Sequence, residues 1–192
     1  MKILGIAGCK HNGKDTVADY LILKYGYKKY SFADPIKRGC MELFGFSEEQ
    51  MWGSKKEVID ENWNVTPRKI LQILGTELLQ LDIHNYLNEG ELPFGRKIWV
   101  QRFKTWYDSQ DKDDLLLVIP DIRFAHEVEA IKEMGGTIIR VVRPDIDNSD
   151  MHDSEKNILN LDVDSEIIND GGLNDLFYKV DEFIKNNLII HE

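Results

Sequence analysis

Short continuous apolar runs alternate along this chain with longer stretches of helical spacing. Ile3, Leu4, Ile6 and Ala7 form the first run, and after a polar loop Val17, Ala18, Leu21, Ile22 and Tyr25 recur at helical intervals. That spacing predicts a strand, then a helix from Lys14 to Tyr25 with one face packed inward. Lys28 to Phe32 predicts a second strand, closed by Ala33-Asp34-Pro35, with a helix beginning near Pro35, a favoured first-turn residue. Residues 47 to 65 follow neither period and predict irregular structure. Thr66 and Pro67 suit the N-cap and first position of the next helix, with Ile70, Leu71, Leu74, Leu78 and Leu81 as its buried face. After a turn-rich break at 88 to 95, Ile98, Trp99, Phe103 and Trp106 mark a further helical stretch. Leu115 to Ile119 is a continuous apolar run of the kind buried on both faces of a parallel sheet, and predicts the central strand. Phe124, Val128 and Ile131 then mark a helix closed by Gly135-Gly136, Thr137 to Val142 another strand, and Glu166 to Ile168 a short last strand. Leu173, Leu176, Phe177, Val180, Phe183 and Ile184 mark the final helix. Strands alternating with helices imply an α/β fold, with a mainly parallel five-stranded sheet and right-handed crossovers.

Composition narrows the functional classes. At 192 residues, 42% apolar and 30% charged, the chain fits one globular domain with a full core. The apolar start is too short for a signal sequence, and no stretch approaches the roughly 20 apolar residues of a membrane span. The expectation is a soluble, cytoplasmic protein with no membrane partner. Cys9 and Cys40 are too few for a disulfide framework and lack metal spacing, so both are expected as reduced thiols. The net charge of −10 is unevenly placed: residues 145 to 192 hold 13 acidic against 3 basic residues, and the rest of the chain balances. An acidic tail without a basic stripe argues against nucleic acid polymers as partners, and any phosphate chemistry must draw its cations from the first three quarters. Composition leaves open whether the chain forms a homodimer.

The strongest chemical signal is Gly8-Cys9-Lys10-His11-Asn12-Gly13-Lys14-Asp15-Thr16, set between the first strand and the first helix. Glycines at 8 and 13 allow backbone N–H groups to turn around phosphate oxygens, the helix start adds its positive dipole end, and Lys14 reaches the β- and γ-phosphates. The segment therefore predicts nucleoside triphosphate binding. Asp15 stands where such loops commonly carry a hydroxyl for Mg2+, and the hydroxyl comes one place later, at Thr16. Two readings of Asp15 stay open: a Mg2+ contact through water, or a carboxylate favoured at the helix start. Arg68, Gln72 and Thr76 stand at i, i+4 and i+8 of one helix face, either as a solvated stripe or as a set suited to a phosphate and a base edge. Asp121 and Arg123 fall at the C-terminal end of the central strand, where open α/β sheets place ligands, and Asp121 suits the Mg2+ side of a phosphate site.

Taken together, Gly8-x4-Gly13-Lys14-Asp15-Thr16, Ser31-Phe32-Ala33-Asp34-Pro35-Ile36-Lys37, Arg68-x3-Gln72-x2-Gly75-Thr76, Pro120-Asp121-x-Arg123-x3-Glu127, Val142-Arg143-Pro144 and Ile168-Asn169-Asp170-Gly171 occur in the order seen in bacteriophage deoxynucleoside monophosphate kinases. The chain resembles that family over most of its length and, more distantly, dephospho-coenzyme A kinase. The resemblance implies a three-layer P-loop fold, with a core of about 1–35 and 112–192, a helical acceptor-binding region of about 36–111 and a short lid at about 144–164. It implies ATP phosphates on residues 8 to 16, with Arg143, Asn169 and Gly171 near the adenine. An acceptor monophosphate would lie near Arg68, Gln72, Thr76 and Arg123, lined by Ser31, Phe32 and Lys37, with Tyr30, Phe32 or Trp99 as the source of bulk against a ribose 2′-position. Lys14, Arg68, Arg123 and Asp121 are the expected catalytic set, with Mg2+ held on the side of Asp15 and Asp121. The family tends to show a His-x-Ser-Glu in the lid, as in His152-Asp153-Ser154-Glu155, which reads equally as a polar helix start. Alternatives are a dephospho-coenzyme A kinase or other small-molecule kinase, and a non-catalytic ATP-binding regulator. A GTP switch would need a guanine-reading Asn-Lys-x-Asp, which is absent.

Overall fold

β1 (Ile3–Ala7) is buried along its whole length because both of its faces are covered. The computed structural model describes residues 2–87, 97–144 and 158–187, which fall into two compact units: residues 1–31 with 109–192, and residues 32–108. In the first unit β1 lies at the centre of a parallel sheet with β2 (Lys28–Lys29), β3 (Leu117–Ile122), β4 (Thr137–Val142) and β5 (Ser165–Ile168), in the order β2-β3-β1-β4-β5. Alternation along β1 sorts the layers. Leu4 and Ile6 join Val118, Ile139, Val141 and Ile167 in a cluster with α1 (Lys14–Tyr25) and α7 (Leu173–Asn187). On the other face a side chain at Gly5 would strike Ile138, Ile122 and Ile131, the last from α6 (Ala125–Glu133). The result is the expected three-layer α/β sandwich. Among the described residues no helix is long and apolar enough to cross a membrane.

Two strands differ from their predicted bounds. β3 runs from Leu117 to Ile122 rather than from Leu115 to Ile119, because its register on β1 begins at Ile3 opposite Leu117 and, through an irregularity between Gly5 and Ala7, continues to Ala7 opposite Ile122. Asp121 therefore belongs to the strand itself. β2 covers two residues instead of five: the Tyr30 N–H still donates to the Val118 carbonyl at 3.0 Å, but the chain then turns at Ser31, whose hydroxyl is bound to Asp121.

The second unit is helical: α2 (Asp34–Phe44), α3 (Glu48–Met51), a 3-10 turn (Ser54–Glu57), α4 (Pro67–Gln72) and α5 (Ile98–Asp108). Residues 47 to 65 are ordered, contrary to the irregular structure expected. Polar bonds rather than a hydrophobic period organise them: Ser47 and Gln50 form a reciprocal cap, and Glu49 accepts from Ser54. Asp60 accepts from the Gln50 amide and from the N–H groups of Asn62 and Trp63. Thr66 caps α4 as expected, its hydroxyl accepting the Lys69 N–H with Pro67 at the first turn. After Gln72, however, the helix widens to π-type winding over Ile73–Asp82. Each residue then advances through a smaller angle than in an α-helix, so the apolar stripe drifts: Leu78 and Leu81 are exposed, while Gly75 and Gln80 are buried. Thr76 accordingly no longer stands two α-turns above Arg68.

Candidate active site

The loop after β1 is built on three positive-φ residues: Gly8 at 156°, His11 at 67° and Gly13 at 99°. A side chain at Gly8 would come within 2.8 Å of the Val141 carbonyl oxygen, and one at Gly13 within 2.8 Å of Asn169 Nδ2, so both glycines are demanded by space as well as by backbone angle. Gly13 is the N-cap of α1 and has no side chain to occupy the helix's leading N–H groups. The first helical bond is from the Val17 N–H to the Gly13 carbonyl, which leaves the donors before it for an anion. Lys14 is 17% exposed, with its Nζ 3.5 Å from Asp15 Oδ2. Asp15 is exposed in the first turn and also lies 4.0 Å from Lys29 Nζ. Thr16 is half-buried, and Lys10 and His11 are exposed. Asn12, in contrast, is 6% exposed, and its amide nitrogen donates to the Val141 carbonyl at 3.0 Å.

The strand order sets the ends of β3, β1, β4 and β5 side by side at the C-terminal edge of the sheet, the edge where such folds bind ligands. Asp121 accepts the Ser31 hydroxyl at 2.5 Å, and Arg123 is exposed directly after β3. Arg143 is exposed directly after β4. Asn169, directly after β5, is 9% exposed and donates its side-chain amide to the Asn12 carbonyl at 3.0 Å. Gly171 is exposed, and the next N–H, of Gly172, donates to Asp175 at 2.9 Å as α7 begins.

Glu127 carries a function that its motif spacing alone did not reveal. Only 3% exposed, it accepts the backbone N–H groups of Arg123 at 2.8 Å and Phe124 at 3.0 Å, and so fixes the turn that presents Arg123. Burial pushes its carboxyl up to about 8; the N–H bond from Arg123 opposes this, and nearby Asp121 adds to it. The sequence signal was a Glu at the third position of α6, where capping-box acids sit.

In the second unit, Arg68 of α4 is half-buried and paired with the Glu57 carboxylate, a partner that lay inside the segment expected to be irregular. Gln72 is exposed and Thr76 half-buried. Trp99 donates its indole N–H to the Gly75 carbonyl at 2.9 Å. Phe32 is 4% exposed, edge-on to Phe103 at 5.5 Å between ring centres, and so is a core residue of this unit rather than an open lining one. Lys37 lies 3.8 Å from Asp34 and over the Trp52 ring at 5.2 Å. Among the described residues no group of three or more His, Cys, Asp or Glu side chains could hold a metal ion by itself. His152 to Glu155 and most of the predicted lid lie outside the described residues.

A glycine loop joining the central strand of a parallel sheet to a helix, with an acid and exposed arginines at neighbouring strand ends, defines a P-loop phosphotransferase architecture. The same fold is found in dephospho-CoA kinase from Campylobacter jejuni, which superposes with a TM-score of 0.51 over 96% of each chain at 16% identity. More specifically, the chain belongs to the deoxynucleotide monophosphate kinase family, whose model matches residues 2–57 and 41–180. A protein of Acanthamoeba polyphaga mimivirus that bears this name provisionally is 36% identical over 97% of both chains. The deoxynucleotide monophosphate kinase of Enterobacteria phage T4 is 27% identical, covering 96% of this chain and 99% of its own. That alignment runs over 252 positions, more than the 192 residues here, so the phage protein contains inserted segments.

Proposed function

We propose that the protein transfers the γ-phosphoryl group of ATP to the phosphate of a deoxynucleoside 5′-monophosphate, releasing ADP and a deoxynucleoside diphosphate. The observation that carries this reading is the glycine loop, with its open helix N-terminus and half-shielded Lys14, in a chain of this family. An acceptor monophosphate, with a second pKa near 6, is already largely a dianion at neutral pH, so the reaction asks for cations and positioning rather than a strong base. Lys14 and the loop N–H groups bind the β- and γ-phosphates, and their charge is aimed at the oxygens on which charge develops. Arg123, held by Glu127 and exposed at the sheet edge, offers a guanidinium fork to a phosphate. Arg68, with Gln72 and Thr76 nearby in sequence, does so for the acceptor, with the Glu57 carboxylate exchanged for the incoming phosphate.

Mg2+ fits this arrangement as a companion of ATP. The described residues lack an all-protein cage, whereas Mg2+ characteristically keeps water and binds through one or two carboxylates plus substrate phosphates. Asp15, exposed beside Lys14, and Asp121, hydrogen-bonded to Ser31, are the carboxylates we assign to hold it. When bound, the ion neutralises charge on the transferring phosphoryl group.

A coupled ADP-release assay separates this reading from a non-catalytic regulator. ADP formation is expected to require both ATP and an added deoxynucleoside monophosphate. ADP release that is nil, or that is unchanged by the acceptor, would contradict it.

A further inference from the structure

Asn169, expected by resemblance near the adenine of ATP, is hydrogen-bonded to the phosphate loop. We propose that Asn169 is a positioning residue for the phosphate loop, acting through the Asn12 carbonyl and not through the nucleotide base. The inference rests on the reading above that residues 8 to 16 bind the donor phosphates.

Asn169 is nine-tenths buried, its backbone N–H is bound to the Val142 carbonyl at 2.7 Å, and its side-chain amide nitrogen donates to the Asn12 carbonyl at 3.0 Å. The same nitrogen lies against Gly13, where a side chain would meet it at 2.8 Å. The bond matters because the Asn12 carbonyl and the Gly13 N–H belong to one peptide unit. All described peptide bonds are trans, so the two groups point in opposite directions in one plane. Pulling the carbonyl toward Asn169 turns the Gly13 N–H away from it, which fixes the direction of a donor that a phosphate loop depends on. Asn12 is gripped a second time, through its own amide nitrogen on the Val141 carbonyl at 3.0 Å. The loop is thereby tied to the ends of both β4 and β5. One of the two amide hydrogens of Asn169 is thereby committed to the loop.

The experiment compares the wild-type protein with Asn169→Leu, which keeps approximate volume and lacks both donor and acceptor, and Asn169→Ser, which is too short to bridge. Binding of ATP, GTP and inorganic tripolyphosphate is measured by calorimetry, alongside the KM for the acceptor. Both variants should weaken all three ligands by a similar factor, about tenfold for one lost bond to a peptide group, with acceptor KM changed less than twofold. Hydrogen exchange of the amides of residues 8 to 13 should quicken in the unliganded variants while the strands stay protected, a readout available even in an inactive protein. A loss confined to ATP, with tripolyphosphate bound as in wild type, would assign Asn169 to the base and overturn the proposal. Unchanged binding together with unchanged exchange would overturn it as well. A wild-type protein that binds neither ATP nor tripolyphosphate would instead refute the phosphate-loop reading on which the proposal rests.

Discussion

Replacing Lys14 with alanine is expected to lower kcat by on the order of a hundredfold or more while leaving the thermal midpoint nearly unchanged, because the lysine's charge is used in the transition state. Stability is spared because its one described ion pair is with Asp15, an exposed carboxylate, and exposed pairs contribute little. Steady-state kinetics beside a thermal melt tests both halves at once. Near-normal turnover in a folded Lys14→Ala protein would remove the loop from the mechanism.

Glu127→Gln should reshape the dependence of stability on pH. Burial raises the folded-state pKa of Glu127 to about 8, against 4.5 for an unhindered glutamate. The unfolded chain therefore releases this proton near 4.5 while the folded protein keeps it. Its contribution to stability is fully present below 4.5, declines as pH rises, and is lost once pH passes about 8. The span corresponds to about 4–5 kcal/mol at most. Glutamine keeps an oxygen for the N–H groups of Arg123 and Phe124 but has no proton to lose. Denaturant titrations of both proteins from pH 5 to 8.5 should show the wild type losing stability relative to the variant as pH rises. Parallel curves would mean that Glu127 is ionised in the folded protein.

What could be read from the chain, and what could not, divides along physical lines. Apolar runs such as Ile3 to Ala7 and Thr137 to Val142, and the paired glycines with Lys14, carry local signals strong enough to place the strands and the loop. The order β2-β3-β1-β4-β5 rests on pairings between distant segments, which no local pattern encodes. The exact reach of β3 was hidden for the same reason, since its ends are set by register on β1 and not by where the apolar run stops. Residues 47 to 65 misled because side-chain oxygens on Ser47, Glu49 and Asp60 replace hydrophobic spacing as the organising force. The widened helix after Gln72 follows helical periodicity in sequence but not in angle. In the candidate site, exposed Arg123 and the half-shielded Lys14 were legible as residue types in a motif. The engagements of Asn169 with the loop and Glu57 with Arg68 were not, because each joins groups whose spacing in the chain has no characteristic value.

The nature of the acceptor is the most direct test. Arg68 and Arg123 are the arginines assigned to substrate phosphates, and a guanidinium fork grips a terminal phosphate far better than a neutral hydroxyl. The measurement is incubation of the protein with ATP, Mg2+ and one acceptor at a time, with the products resolved: the four common deoxynucleoside monophosphates, their ribonucleotide counterparts and dephospho-coenzyme A. Deoxynucleoside diphosphates formed in step with ADP, with ribonucleotides poorer and dephospho-coenzyme A inert, are the expected result; phosphorylation of dephospho-coenzyme A alone would contradict it.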